Sequence, residues 1–144
     1  MAQGINPFLE DGHEVSDPDS LHVLTLAYIG DAFFELTVRE GLMERGNTKV
    51  ERLHRETVSY VRAGSQAEML DYLLKNDLLT PEEKEISKKG RNSKSHTMPR
   101  NAKPAEYRRA TAFEALIGYL YMKGDKERAY ELIRQGLKGR NIEN

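Results

Sequence analysis

Two stretches of the chain are apolar on every helical face. From Leu21 to Val38 the apolar positions are Leu21, Val23, Leu24, Leu26, Ala27, Tyr28, Ile29, Ala32, Phe33, Phe34, Leu36 and Val38. From Ala110 to Met122 they are Ala110, Ala112, Phe113, Ala115, Leu116, Ile117, Tyr119, Leu120, Tyr121 and Met122. A helix that is apolar all round is buried among its neighbours, so both segments are predicted to sit inside the fold. Punctuation places the remaining helices. Asp19 or Ser20 can cap a helix from about Leu21 to Glu44, ended by Gly46-Asn47, and Thr48 can cap a second over about 49–61. A third, about 64–76, carries Ala67, Leu70, Leu73 and Leu74 at helical spacing. Thr80-Pro81-Glu82-Glu83 opens a short helix that stops near Lys89-Gly90. Pro104 opens a long helix to about Lys123, and after Gly124-Asp125 a last one runs over about 126–137. No alternating strand and no internal repeat is present, so the predicted fold class is all-α. It is one domain over residues 19–140 behind a polar acidic arm, residues 1–18, read as flexible.

Composition narrows the chemistry. The 144 residues, 38% hydrophobic and 31% charged, suit one soluble globular domain. The longest uncharged stretch, Leu21 to Gly30, falls far short of the ~18 apolar residues that a membrane span needs, and the first twenty residues lack the basic start and apolar core of a secretory signal. With no cysteine, disulfides and thiolate metal sites are excluded, and a reducing cytoplasm is the expected location. The four histidines, 13, 22, 54 and 96, are too scattered for a zinc cluster.

The net charge of −1 hides an uneven distribution. Residues 1–20 hold Glu10, Asp11, Glu14, Asp17 and Asp19 and no Lys or Arg. Residues 88–103 hold Lys88, Lys89, Arg91, Lys94, Arg100 and Lys103 and no acid. That second segment, rich in Gly, Asn, Ser and Pro, reads as a basic loop, either a solvated surface element or a phosphate-binding one.

Each of the two all-round apolar helices carries a lone acid near its middle, Asp31 in one and Glu114 in the other, and each acid lies close to a glycine, Gly30 or Gly118. An unpaired buried carboxylate costs several kcal/mol, so each is expected to have a cation or several donors. Two readings stay open on the residues alone. Each acid pairs with an arginine such as Arg39, Arg108 or Arg109, or the two acids meet at a hard divalent cation, with Glu35 one turn on from Asp31 extending the shell. The glycines suggest close backbone packing at both places.

The segment Ala27-Tyr28-Ile29-Gly30-Asp31-Ala32-Phe33-Phe34-Glu35 resembles the signature helix of the ribonuclease III catalytic domain. Thr111-Ala112-Phe113-Glu114-Ala115-Leu116-Ile117-Gly118 resembles that family's second acidic helix, and Val58 to Ser65 resembles the segment between them. Order and spacing fit over about residues 20–137, leaving no stretch for the double-stranded-RNA-binding domain that usually follows. A catalytic domain alone with a basic loop resembles the compact subgroup known as mini-ribonuclease III. The resemblance implies the endonuclease-domain fold, a homodimer with one catalytic valley, and hydrolysis of double-stranded RNA to 5′-phosphate and 3′-hydroxyl ends. It implies Mg²⁺ as cofactor, with Mn²⁺ as a substitute, held by Asp31 and Glu114. It further implies maturation of large-subunit (23S) ribosomal RNA precursor in a bacterial or plastid setting, on a substrate presented by a ribosomal large-subunit protein. Two acids of the full-length enzymes are missing, since Ala27 and Thr111 stand at their positions. The rival reading is therefore a degenerate domain that binds structured RNA without cutting it. In either case Lys88, Lys89, Arg91, Asn92, Lys94, Ser95, Arg100 and Lys103 are the expected RNA contacts.

Overall fold

A computed structural model describes residues 6–46, 49–93, 98 and 100–140. Among the described residues the regular elements are a 3-10 turn at Pro18–Ser20 and the helices α1 (Val23–Glu44), α2 (Val50–Val61), α3 (Ala63–Lys75), α4 (Pro81–Asn92), α5 (Pro104–Lys123) and α6 (Lys126–Leu137), with no strand. The all-α expectation holds, and the start signals at Thr80 and Pro104 are used as written. At α4 the Thr80 hydroxyl accepts from the Glu83 backbone N–H at 3.1 Å, while Glu83 Oε1 accepts from the Thr80 N–H at 2.9 Å. Each satisfies a donor that the first helical turn leaves unpaired. Gly124 closes α5 in the left-handed region (φ 87°), and Asp125 Oδ1 then caps α6 by accepting from the Arg128 N–H at 3.1 Å.

Two boundaries differ from the sequence reading. The cap of α1 is His22, whose Nδ1 accepts from the Leu24 N–H at 3.0 Å, because Asp19 and Ser20 are engaged elsewhere, the Ser20 hydroxyl donating to the Asp17 carbonyl at 2.7 Å. Asp17 Oδ1 accepts from the Asp19 N–H at 3.0 Å, building the 3-10 turn. Asp19 Oδ1 and Glu82 Oε2 each lie 3.0 Å from the buried Tyr119 hydroxyl, which fastens the end of the acidic segment to α4 and α5. Helix α4 also continues through Gly90 to Asn92. The basic segment read as a loop over 88–103 therefore begins as helix. Thr48, read as a helix cap, lies outside the described residues.

α5 is the central element, packed by α1, α3 and α4, with α2 against α1 and α6 against α3. Its residues from Ala115 to Leu120 are all buried. Phe113 meets Phe34 of α1 edge to face with ring centroids 5.3 Å apart, the arrangement that aromatic quadrupoles favour. Leu70 and Leu73 of α3 and Leu132 of α6 complete the same core. A buried ion pair joins the far ends. Arg128 on α6 donates to both oxygens of Glu83 at 2.8 Å and to the Leu78 carbonyl at 2.9 Å.

α1 departs from the expectation of all-round burial. Phe33, Phe34, Leu26 and Ala27 are buried, whereas Tyr28 is 81% and Leu36 55% exposed, and Ala32 and Met43 are exposed with them. These four side chains share one face of the helix at i, i+4 spacing and near it. A sequence apolar on every face therefore covers a core on one side and leaves an apolar stripe on the other.

Candidate active site

Asp31 and Glu114 come from residues 83 positions apart, and the α1–α5 crossing brings them together. The helices touch at their glycines. A Cβ on Gly30 would collide with the Glu114 carbonyl oxygen and lie 2.7 Å from the Gly118 nitrogen. A Cβ on Gly118 would collide with the Leu26 carbonyl oxygen and lie 3.0 Å from the Gly30 nitrogen. Only backbones without side chains can approach this closely, and the acids beside these glycines are carried to the same point. Their carboxyl groups lie within hydrogen-bonding reach of each other.

The electrostatics follow from that contact. Burial, then the Asp31 charge, then the hydrogen bond with Asp31 push the Glu114 carboxyl up to about 8, opposed by a hydrogen bond from Gln66. The two acids do not share one environment. Glu114 is half-buried, whereas Asp31 is exposed, which corrects the expectation that both are sunk in the core. The residue of α1 that faces solvent on one flank can expose an acid there without desolvating it. None of the ion pairs among the described residues involves Asp31 or Glu114. Of the arginines considered as partners, Arg39 binds Glu35 and Arg109 binds Asp71 at 3.2 Å, and Arg108 is exposed.

Glu35 does not join the pair. Its Oε2 accepts from Arg39 Nε at 2.9 Å and from Nη2 at 2.6 Å. Among the described residues no group of three His, Asp or Glu side chains forms a metal cluster. Two oxygen-bearing side chains in mutual reach, one of them holding its proton unusually tightly, are nevertheless a donor set that suits a hard cation, since like charges at this distance are relieved by a positive ion between them. One residue of this site was not anticipated. Gln66 of α3 donates from Nε2 to Glu114 Oε2 at 3.2 Å. Its signal was a polar residue one turn before Leu70, on the apolar face of α3.

The basic residues form a second region. Lys88, Lys89, Arg91 and Asn92 are exposed on the last turns of α4, and Arg100 and Lys103 are exposed before α5. Lys94 and Ser95, with His96, lie outside the described residues. Arg91 and Asn92 line a cavity of about 660 Å³ with Arg108, Arg109, Tyr107 and Thr111 of α5. Thr111 is one helical turn from Glu114, so the cationic region leads toward the acids along α5. Arg108 and Arg109 are additions to the expected set. No helix among the described residues is long and apolar enough to cross a membrane.

The ribonuclease III domain family matches residues 24–125. A protein named Mini-ribonuclease 3 from Symbiobacterium thermophilum is 47% identical over 120 residues, which cover 83% of this chain and 91% of the relative. One of the same name from Enterococcus faecalis is 45% identical, covering 85% of this chain and 92% of its own. A crystal structure of a Fusobacterium nucleatum protein superimposes with a TM-score of 0.74 at 31% identity, covering 86% of this chain and 98% of that one.

Proposed function

The chain belongs to the ribonuclease III family, in its Mini-ribonuclease 3 branch, and from that premise we propose that Asp31 and Glu114 hold a Mg²⁺ ion for hydrolysis of duplex RNA in ribosomal RNA maturation. The enzyme class is an endoribonuclease of the ribonuclease III type, acting on double-stranded RNA. The observation that carries the metal reading is the convergence of the two carboxyl groups with no cationic side chain among the described residues to neutralise them.

A bound divalent ion lowers the pKa of a water ligand and screens the charge of the phosphate under attack. The chain's own residues do the rest. Asp31, exposed, offers oxygen at the surface that the duplex meets. Glu114 offers oxygen from the half-buried side and must give up its proton to do so. Ala27 has no ligating atom, and the Thr111 hydroxyl is turned back to donate to the Tyr107 carbonyl at 3.0 Å, so neither replaces the missing carboxylate. Mg²⁺ is commonly held by one or two carboxylates together with water and substrate phosphate. One ion per site in the free protein, with a second recruited by the RNA phosphate, is the stoichiometry this donor set supports. Mn²⁺ takes the same oxygen ligands and substitutes.

Lys88, Lys89, Arg91, Arg100 and Lys103, exposed on α4 and before α5, together with Lys94, Asn92 and Ser95, serve as phosphate and sugar contacts across the shallow minor groove. A homodimer is supported by the exposed Tyr28, Ala32, Leu36 and Met43 stripe, which a second copy would cover. Action on large-subunit ribosomal RNA precursor, aided by a ribosomal large-subunit protein in the bacterial cytoplasm, is supported by the family resemblance and the bacterial relatives.

The test is cleavage of a duplex RNA with end mapping, with and without Mg²⁺, beside Asp31→Asn and Glu114→Gln. Mg²⁺-dependent cuts with 5′-phosphate ends are expected from the wild type. Loss of cleavage with retained fold and duplex binding is expected from both variants. Full activity in either variant removes the assignment, and duplex binding by the wild type without cleavage would favour the degenerate-domain reading.

A further inference from the structure

Gln66 is 1% exposed and lies among the buried Met69, Leu70 and Leu73 of its own helix. A buried amide is unfavourable unless its polar atoms are paired. Gln66 uses both N–H bonds of Nε2, one to the Val61 carbonyl at 2.7 Å and one to Glu114 Oε2 at 3.2 Å. Val61 ends α2, and the chain then turns at Arg62 (φ −63°, ψ 155°) into α3, so its carbonyl is among those that a helix end leaves without an intrahelical donor. The two acceptors fix which way the amide faces. Turned over, Oε1 would oppose a carbonyl and a carboxylate oxygen. In the orientation present, Oε1 is buried without a hydrogen-bond partner among the described residues. An orphaned acceptor costs about 1–3 kcal/mol, which offsets much of what the amide contributes to the fold by pairing the Val61 carbonyl. A buried polar side chain that leaves one of its own atoms unpaired breaks a local rule, and such residues are expected at functional sites.

We infer that Gln66 is a positioning residue for the metal site, its amide holding Glu114 Oε2 so that Oε1 is the oxygen presented to a divalent cation. This inference rests on the reading of Asp31 and Glu114 as the ion's ligands. With Ala27 and Thr111 at the other two positions, two carboxylates carry the whole protein share of the coordination, and a wrong rotamer of Glu114 forfeits half of it. The amide also links Glu114 to the α2–α3 turn, a backbone feature that does not shift with side-chain motion. Hydrogen bonds behind a metal ligand typically contribute about 10- to 100-fold in metal affinity.

The experiment measures Mn²⁺ binding to the full chain without RNA, from the paramagnetic resonance signal of the free ion, in wild type, Gln66→Met and Asp31→Asn. Gln66→Met is expected to bind Mn²⁺ about 10-fold or more weakly, and melting in EDTA reads separately what the lost hydrogen bond to the Val61 carbonyl costs the fold. Wild-type Mn²⁺ affinity in Gln66→Met, with affinity lost in Asp31→Asn, overturns the role of Gln66 alone. Wild-type affinity in Asp31→Asn overturns the two-acid reading itself. A second readout needs no variant at position 66. The Gln66 side-chain amide resonances of the wild type are expected to shift during a Mg²⁺ titration with the same saturation as ion binding. Mg²⁺ binding that leaves them in place overturns the proposal even if Gln66→Met does not fold.

Discussion

A carboxyl group pushed up to about 8 keeps its proton through most of the neutral range, and Glu114 is such a group. In the unfolded chain the same glutamate releases its proton near its ordinary 4.5. Between those two values the folded state binds the extra proton, so the metal-free protein loses stability as pH rises through the window and levels off above about 8. Melting in EDTA from pH 5 to 9 should show wild type falling relative to Glu114→Gln across that interval, and parallel curves would place the proton elsewhere. At the proposed site a divalent ion would compete for the same oxygens. Mg²⁺ binding at pH 7 is expected to release close to one proton, measured by calorimetry in buffers of different ionisation enthalpy, with the release vanishing above pH 9. The acids themselves were legible in the sequence because each interrupts a run of apolar residues. Gln66 was not. An uncharged amide beside Met69 and Leu70 gives a weak signal until α3 is packed against α5 and its partner atoms are known. Asp31 was misplaced for a different reason. Tyr28, Ala32 and Leu36 made the surrounding helix look buried on all sides, and apolarity does not tell a monomer's core from a face meant for another molecule.

The same limits reappear in the helices. Gly90 carried the ordinary signal of a helix stop, yet α4 runs through it because a Cβ there would lie 2.8 Å from the Ala112 Cα of α5. Its missing side chain serves a close helix contact, which local propensity cannot register. Thr80 and Gly124 were read correctly because their signals are local, a capping box and a left-handed turn. The glycines of α1 separate the two roles experimentally. Gly30 sits at the α5 backbone, whereas a Cβ on Gly41 would meet nothing within 4 Å. Gly41→Ala is expected to stabilise the chain by about 0.5–1 kcal/mol through helix propensity. Gly30→Ala must force α1 and α5 apart and is expected to destabilise it by at least about 1–3 kcal/mol. Because the crossing also sets the distance between Asp31 and Glu114, Gly30→Ala should weaken Mn²⁺ binding even at temperatures where it is folded. Urea unfolding of the two variants, with Mn²⁺ binding measured on each, checks both effects. A Gly30→Ala protein with wild-type stability and metal affinity would mean that the helices do not touch there.

At the scale of the whole molecule, the net charge of −1 gives no reason to expect a polyanion as ligand, and only the distribution does. Residues 6–16 are exposed throughout and carry three acids and no Lys or Arg, while the end of α4 and the approach to α5 are exposed and basic. One short basic region offers few phosphate contacts, and an enzyme that must hold a duplex benefits from a second. The exposed face of α1 supplies a way to obtain it. A copy seated on Tyr28, Ala32, Leu36 and Met43 would bury an apolar stripe that borders Asp31 and would set two basic regions along one duplex. Leu36→Asp places a charge in that seam and is expected to convert a dimer into a monomer in sedimentation. The stronger consequence concerns RNA. The slope of log affinity against log salt counts the counterions displaced, about 0.9 per phosphate contact on duplex DNA, so a monomer with one basic region should show roughly half the slope of the dimer. Arg91→Ala with Arg100→Ala in the dimer should reduce the slope while leaving the sedimentation unchanged. If Leu36→Asp stays dimeric, the seam lies elsewhere. If it becomes monomeric with the full slope, the duplex contacts only one subunit, and the dimer contributes to something other than grip.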